Sequence, residues 1–269
     1  MKYEEINFVG IYRQKVAESV FRRKTEADWD SAAEQFRARH HEKTFYVRRF
    51  LQLMNLQDVS SVLDFGSGSG TLSLPLAERV QQVVSADFSA QMLSLLEEDA
   101  RERGLDNIKT FKKSWSENWD DLPQVDMVIA SRCIGSSGDI VSVVEKMVQK
   151  ARLRVAFTWM KSPGFVNPLI MEAIGRQYSS HPDWIYPVNI LYQLGYDPEV
   201  NFIPWDPDPD KILEEDGFIG TLEWKVGELA AEEVVAARRY FHDYVLKDPL
   251  KYGHLGFSWA YISWENRKR

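Results

Sequence analysis

The stretch Ser60 to Gly70, reading Ser-Ser-Val-Leu-Asp-Phe-Gly-Ser-Gly-Ser-Gly, limits this chain to few folds. Val62, Leu63 and Phe65 bracket a single carboxylate, Asp64, and glycines then stand at 66, 68 and 70. The pattern predicts a buried strand running into a tight turn that opens a helix near Thr71. Glycine suits such a turn because it takes positive φ without a side-chain clash and lets a ligand approach the backbone. The helix start would aim its unpaired N–H groups at whatever lies on the turn. A dinucleotide turn reads Gly-x-Gly-x-x-Gly, and a phosphate loop ends in Gly-Lys-Ser/Thr. Here the pattern is Asp-x-Gly-x-Gly-x-Gly with no lysine, so it matches neither. Asp64 is badly placed for phosphate and well placed for a cationic or hydroxyl-bearing ligand. A plain Gly/Ser-rich connection between a core strand and a helix is the alternative reading.

A second apolar run, Val83-Val84-Ser85-Ala86, is stopped by Asp87, 21 residues after Gly66. Short, β-branched and bounded by polar residues, it predicts a buried parallel strand. An acid about 20 residues past the glycines, at the end of the second strand, can accept hydrogen bonds from both ribose hydroxyls. That spacing suits NAD as well as other adenosine ligands, and a helix-cap role for Asp87 stays open. In Asp87-Phe88-Ser89-Ala90-Gln91-Met92-Leu93, Ser89 caps the following helix. Phe88 and Met92 stand one helical turn apart, able to flank an adenine ring or to serve as core.

The two stretches, Asp-x-Gly-x-Gly-x-Gly at 64–70 and Asp-x-Ser-x-x-Met-Leu at 87–93, are similar to motifs of the class I S-adenosylmethionine (SAM)-dependent methyltransferases. Motif-level agreement covers about residues 58–160. The resemblance implies SAM as cofactor, held by Asp64, Phe65, Gly66, Ser67, Gly68 and Gly70, with Asp87 on the ribose and Phe88 and Met92 on the adenine. Family members place an acid just beyond the third strand, expected here at Ile108 to Lys112. This chain has Ser114 there, followed by Trp115, so a hydroxyl acceptor and a ring able to stack replace the carboxylate.

The fourth strand, Val125 to Ala130, runs into Ser131-Arg132-Cys133. Ligands of open α/β sheets bind beyond the carboxyl ends of the strands, at the switch in strand order. Ser131 and Arg132 are therefore expected near the methionine end of the cofactor. Arg132 would pair with a cofactor or substrate carboxylate or anchor the next helix. Cys133 is read as packing rather than as a nucleophile.

Asp139 to Lys150 reads as a helix, Leu153 to Trp159 as a fifth strand and Glu199 to Trp205 as a sixth. The two βαβαβ halves predict an α/β fold built on a doubly wound, mostly parallel sheet. The resemblance extends it to seven strands with helices on both faces. It also places a last antiparallel strand between the fifth and sixth, for which the aromatic run Phe257 to Trp264 is suited. Residues 1–57 are expected to be helical, with helices beginning near Thr25 and Thr44; the resemblance implies that they form an N-terminal lid, simple packing on the sheet being the alternative, and that 58–269 form the cofactor-binding domain. A helical insertion at about 161–197 follows the fifth strand and is the candidate substrate cover. It carries an apolar stretch, Phe165 to Ile174, and a helix between Pro187, at its first position, and Gly195. Trp29 of the lid and Tyr186, Asn189 and Tyr192 of the insertion are expected at the acceptor. Methyl transfer by in-line displacement rests on positioning, so no catalytic residue is named.

A net charge of −7 argues against a duplex nucleic-acid partner. The five histidines lack the spacing of a zinc site, so no metal is expected. Cys133, the single cysteine, permits no internal disulfide and fits a reducing compartment. No run of ~18 apolar residues and no signal peptide are read in the sequence, so no membrane is involved. The expectation is a cytoplasmic monomer or homodimer that methylates a small-molecule acceptor. The alternatives are a non-catalytic SAM-binding regulator and, disfavoured by the glycine spacing, a nicotinamide-dependent dehydrogenase.

Overall fold

The structure, a computed structural model, describes residues 2–39, 44–161, 166–205, 214–252 and 258–268. Of the residues named in the sequence expectations, Phe165 and Phe257 lie outside the described residues. Three helices precede the sheet: α1 (Phe8–Glu18), α2 (Glu26–Arg39) and α3 (Phe45–Leu53). Helix α2 opens as predicted from Thr25. The Thr25 N–H donates to Asp28 at 2.8 Å, and the Asp28 N–H donates back to the Thr25 hydroxyl at 3.2 Å. Thr44 caps α3 by accepting from the Val47 N–H.

The sheet then forms in βα units. Strand β1 (Ser61–Phe65) leads to the short α4 (Ser73–Ala77), and β2 (Gln82–Asp87) to α5 (Ala90–Glu102). Strands β3 (Ile108–Lys112) and β4 (Val125–Ala130) match their predicted bounds, and α6 (Ile140–Lys150) precedes β5 (Ala151–Met160). After α7 (Pro168–Ala173) and α8 (Ile185–Gln193) come β6 (Glu199–Ile203), α9 (Glu215–Val226), α10 (Ala231–Tyr240), α11 (Pro249–Tyr252) and β7 (Trp259–Glu265). The strand order is β3-β2-β1-β4-β5-β7-β6, with β7 antiparallel to both its neighbours. The order reverses between β1 and β4, as the two βαβαβ halves require.

Every residue of β1 and of β4 is buried, because helices cover both faces of the sheet. Leu63 and Phe65 join α1, α6 and α8 in one core, while Val62 joins α3 and α4 in the other. The alternation of a strand therefore sends Asp64 to the α4 face. A third core unites α7, α9 and α10. The predicted insertion is thus divided: α7 packs with the later helices, and α8 packs against α1.

Three expectations are corrected. Pro187 is the third residue of α8, not the first, and is tolerated there because a first-turn N–H has no helical partner in any case. Strand β6 ends at Ile203, two residues before Trp205. The periodicity of Glu228 to Leu246, which predicts one helix over that whole stretch, yields a helix that begins only at Ala231 and widens into a π turn at Phe241–Val245.

Asp126 ties the start of β1 to β4. It accepts from the N–H and hydroxyl of both Ser60 and Ser61 at 2.7–3.0 Å, and Arg152 reaches it at 3.1 Å. Burial raises its pKa, but these donors outweigh burial and hold the carboxyl well below the usual range. Asp126→Ala strands those donors and is expected to cost about 2–3 kcal/mol in urea unfolding. The contribution is present above the unfolded carboxyl pKa of about 4 and is lost as pH falls further. A variant whose stability equals wild type at pH 7 would refute this role.

Candidate cofactor site

The turn after β1 holds the predicted geometry. Gly66, Gly68 and Gly70 all have positive φ, at +75°, +54° and +90°. The Gly66 and Ser67 N–H groups both donate to the Ala86 carbonyl of β2, at 2.7 and 3.1 Å. The Gly68 N–H donates to Asp87 at 2.9 Å, and the Ser89 N–H donates to the other Asp87 oxygen at 2.9 Å. Asp87 thus clamps the turn to the start of α5, which Ser89 caps through the Met92 N–H.

Asp64 is fully buried beneath this turn and accepts from the Ser73 hydroxyl at 2.7 Å; Ser85 in turn donates to Ser73 at 2.8 Å. Burial, with Asp87 adding like-charge repulsion, pushes its carboxyl up to about 7. Burial also raises Asp87. Two carboxyl groups thus share the floor of the turn, and burial favours the protonated form of each. Ser67 contributes a buried hydroxyl with no hydrogen-bond partner among the described residues. Buried polar atoms are seldom left in that state, so this one is available to a ligand. A glycine cradle, carboxylates suited to hydroxyl or cationic groups, and an orphan hydroxyl fit the adenosine and methionine parts of SAM.

Other predicted residues divide between this turn and the packing around it. Met92 is buried between α5 and α2 with Ala33, Trp29 and Phe36. A methyl built on Gly68 would lie 3.2 Å from the Phe36 ring and 3.9 Å from the Met92 sulfur. Phe88 is half-buried beside them in sequence. Phe65, by contrast, turns its ring into the core, stacked on Trp119 at 4.0 Å and tilted on Trp115 at 4.2 Å. Only the backbone of Phe65 is left to serve the turn, and Trp115 has an aromatic partner of its own. Ser131 shares a hydrogen bond with Tyr46 at 2.7 Å, and Arg132 lies against the Tyr46 ring.

The four acceptor candidates have other partners. Trp29 packs edge-on to Trp224 of α9 and to Phe36. Asn189 donates to the Ile185 carbonyl within α8, while its own carbonyl accepts from Tyr3. Tyr192 meets the Tyr3 ring edge-on at 5.4 Å, and Lys15 lies over Tyr186. The N-terminal segment engages the side chains of Tyr186 and Tyr192, because α8 packs on α1.

Four residues escaped the sequence reading. Glu117 folds back to accept the Ser114 N–H at 2.6 Å, bringing a carboxylate to the end of β3 after all. The Ser-x-x-Glu spacing was its signal. Asp30 of α2 accepts from the Ser89 hydroxyl and the Gln91 N–H, joining the N-terminal helix to the start of α5. Phe36 and Tyr46 reach the site only through tertiary packing. Among the described residues, no group of three potential metal ligands is present, and no helix is long and apolar enough to cross a membrane.

Comparison with known proteins agrees with this geometry. Residues 62–156 match the family described as a methyltransferase domain. An uncharacterized protein of Haemophilus influenzae is 32% identical over 266 residues, covering 98% of each chain. Two solved structures share the fold. YjhP of E. coli has a TM-score of 0.55 at 16% identity, over 89% of this chain and 99% of its own. A Geobacter sulfurreducens SAM-dependent methyltransferase, solved with S-adenosyl-L-homocysteine, has a TM-score of 0.52 at 16% identity, over 89% and 98%. The strand order, the glycine turn with its two acids and the matched domain together make this chain a member of the class I, Rossmann-like SAM-dependent methyltransferases.

Proposed function

We propose that this methyltransferase acts on a small-molecule acceptor, bound beyond the carboxyl ends of β4 and β5 under the N-terminal helices. The observation that carries this reading is the approach of α2 to the glycine turn, with Phe36 beside Gly68 and Asp30 bonded to the start of α5. A helix across the turn favours an enclosed ligand over a polymer lying on an open face. Residues 1–57 act in this reading as the lid, and Trp29 closes its outer edge.

Asp87 would take the ribose hydroxyls, Gly66 and Gly68 would admit the backbone-hugging chain, and the Ser67 hydroxyl would gain its missing partner. Phe88 and Met92 would flank the adenine, with Ser114 or the nearby Glu117 receiving its amino group. Bound SAM supplies a methyl group activated by attachment to a sulfonium sulfur. The chain's task is to orient the acceptor, exclude water and hold negative potential beneath the cationic centre, with Asp64 and Asp87 as its source. Cytoplasmic location and a monomeric or dimeric state belong to the same proposal.

A thermal-shift titration tests it. SAM and S-adenosylhomocysteine, at 100 times their dissociation constants, are expected to stabilise by about 2.7 kcal/mol. NAD and NADP are expected to give no shift. Release of S-adenosylhomocysteine with members of a small-molecule panel, and none with RNA or protein substrates, is the second expected result. Turnover confined to a macromolecule would overturn the acceptor class.

A further inference from the structure

At the carboxyl edge of β4, the Arg132 guanidinium is half-buried and sits 4.3 Å from the centroid of the Tyr46 ring. Arg152, Arg154, Arg176 and Arg238 each contact a carboxylate. Arg132 has no carboxylate among the described residues; the titratable groups nearest it, the Tyr46 phenol and the Cys133 thiol, are held neutral by burial, which also lowers the pKa of Arg132. A cation withdrawn from water without a counter-charge is costly. The backbone adds to that cost, since Arg132 has φ +58°, a region that long side chains seldom adopt.

The strained residue is held from several sides. Its N–H donates to the Thr158 hydroxyl of β5 at 2.9 Å. Tyr46 shares hydrogen bonds with that same hydroxyl at 2.9 Å and with Ser131 at 2.7 Å. Tyr46 also packs on Phe50 and edge-on to Trp259. With its hydroxyl engaged and its ring wedged, Tyr46 keeps the guanidinium in one orientation. Persistent strain at an over-determined position is characteristic of ligand clamps.

Arg132 borders the cofactor turn on its β5 side: the Cys133 thiol next to it donates to the Phe65 carbonyl at 3.2 Å, while the Arg132 N–H is tied to β5. The glycine turn and Asp87 follow β1 and β2, on one side of the switch point. Arg132 is fastened to β5, on the other side of β4, against the ring of Tyr46, which itself packs edge-on to Trp259. We infer that Arg132, propped by Tyr46, binds the carboxylate of the methyl acceptor, which makes the acceptor a monoanionic organic acid. The inference rests on the methyl-transfer reading for the word acceptor, but the anion site stands on its own geometry. A single guanidinium forks onto a single carboxylate, and one negative charge neutralises it. A dianionic phosphate would leave a buried charge uncompensated.

Benzoate, with neutral benzamide as its control, is the probe, titrated into the protein saturated with S-adenosylhomocysteine. Benzoate is expected to raise the melting temperature of wild type and benzamide to leave it unchanged. Arg132→Gln is expected to abolish the benzoate response while S-adenosylhomocysteine affinity changes by less than about threefold. Equal responses to benzoate and benzamide in wild type would overturn the proposal. So would a loss of about tenfold or more in S-adenosylhomocysteine affinity in Arg132→Gln, with 5′-methylthioadenosine, which lacks the amino-acid group, bound equally by both proteins. That pattern would assign Arg132 to the cofactor carboxylate. If the variant does not fold, phenylglyoxal labelling of wild type decides: protection of Arg132 by benzoate but not benzamide supports the site, and its absence refutes it. A wild type that binds benzoate at Arg132 but neither SAM nor its product keeps the anion site and removes the cofactor reading.

Discussion

Gly66→Ala is expected to abolish measurable SAM binding and to destabilise the protein by about 2–5 kcal/mol. The residue has φ +75°, so a side chain there meets the left-handed penalty of about 1–2 kcal/mol. The added methyl would also lie 2.6 Å from the Cys133 sulfur and 2.7 Å from its Cβ. Such distances force Cys133 or the turn to move, and overpacking typically costs about 1–3 kcal/mol. Cys133→Ala leaves the Cβ in place, so only Cys133→Gly relieves the contact. The double variant Gly66→Ala/Cys133→Gly is expected to recover the clash component in urea denaturation and to retain the backbone penalty. Wild-type SAM affinity in Gly66→Ala would show that the turn does not hold the cofactor.

The second large effect concerns Asp64. Burial raises its carboxyl to about 7, whereas in the unfolded chain it titrates near 4. Between those values the folded protein keeps a proton that the unfolded chain has released. Stability therefore falls as pH rises from about 4 to about 7, by up to about 4 kcal/mol. Asp64→Asn keeps an acceptor for the Ser73 hydroxyl and removes the ionisation. The variant is expected to be more stable than wild type at pH 8 and to lose this pH dependence. Its SAM affinity is expected to fall by about tenfold at pH 8, because the negative potential below the turn is reduced. Wild-type affinity should rise with pH up to about 7 and then level off. A variant that is no more stable at pH 8, or that binds SAM as wild type does, would remove Asp64 from this role.

The two effects have opposite signs for the apo protein, which makes them a useful pair. In the proposed reading Gly66 serves both fold and binding, so its replacement harms both, whereas Asp64 serves binding at the expense of the fold at neutral pH, because an ionised carboxylate in an apolar interior is poorly solvated.

Much of the architecture was legible from local pattern. The β3 and β4 bounds, the Thr25 and Ser89 caps and the three positive-φ glycines follow from period, capping chemistry and steric need, all of which act within a few residues. The Ser114 departure illustrates the limit of matching one position at a time. A carboxylate does come to the end of β3, from Glu117 three residues on, through a turn in which it accepts the Ser114 N–H. The reading of α8 as substrate cover met a different limit. Its apolar and polar residues were identified, but the direction of each face depended on whether α1 or the cofactor edge would cover it.

By itself the sequence determined that strands alternate with helices, that three glycines follow β1 in a turn, and that an acid stands at or next to the end of each of the first two strands. These properties are local, since φ preference, side-chain period and caps depend on neighbouring residues. Only the tertiary structure decided that Phe36 of α2 would stand over Gly68, that Phe65 would stack on Trp119, and that Tyr46 would hold Arg132. Those meetings join residues from 32 to 86 positions apart in the chain. No short-range signal encodes them, because they follow from how whole layers share the space above and below one sheet.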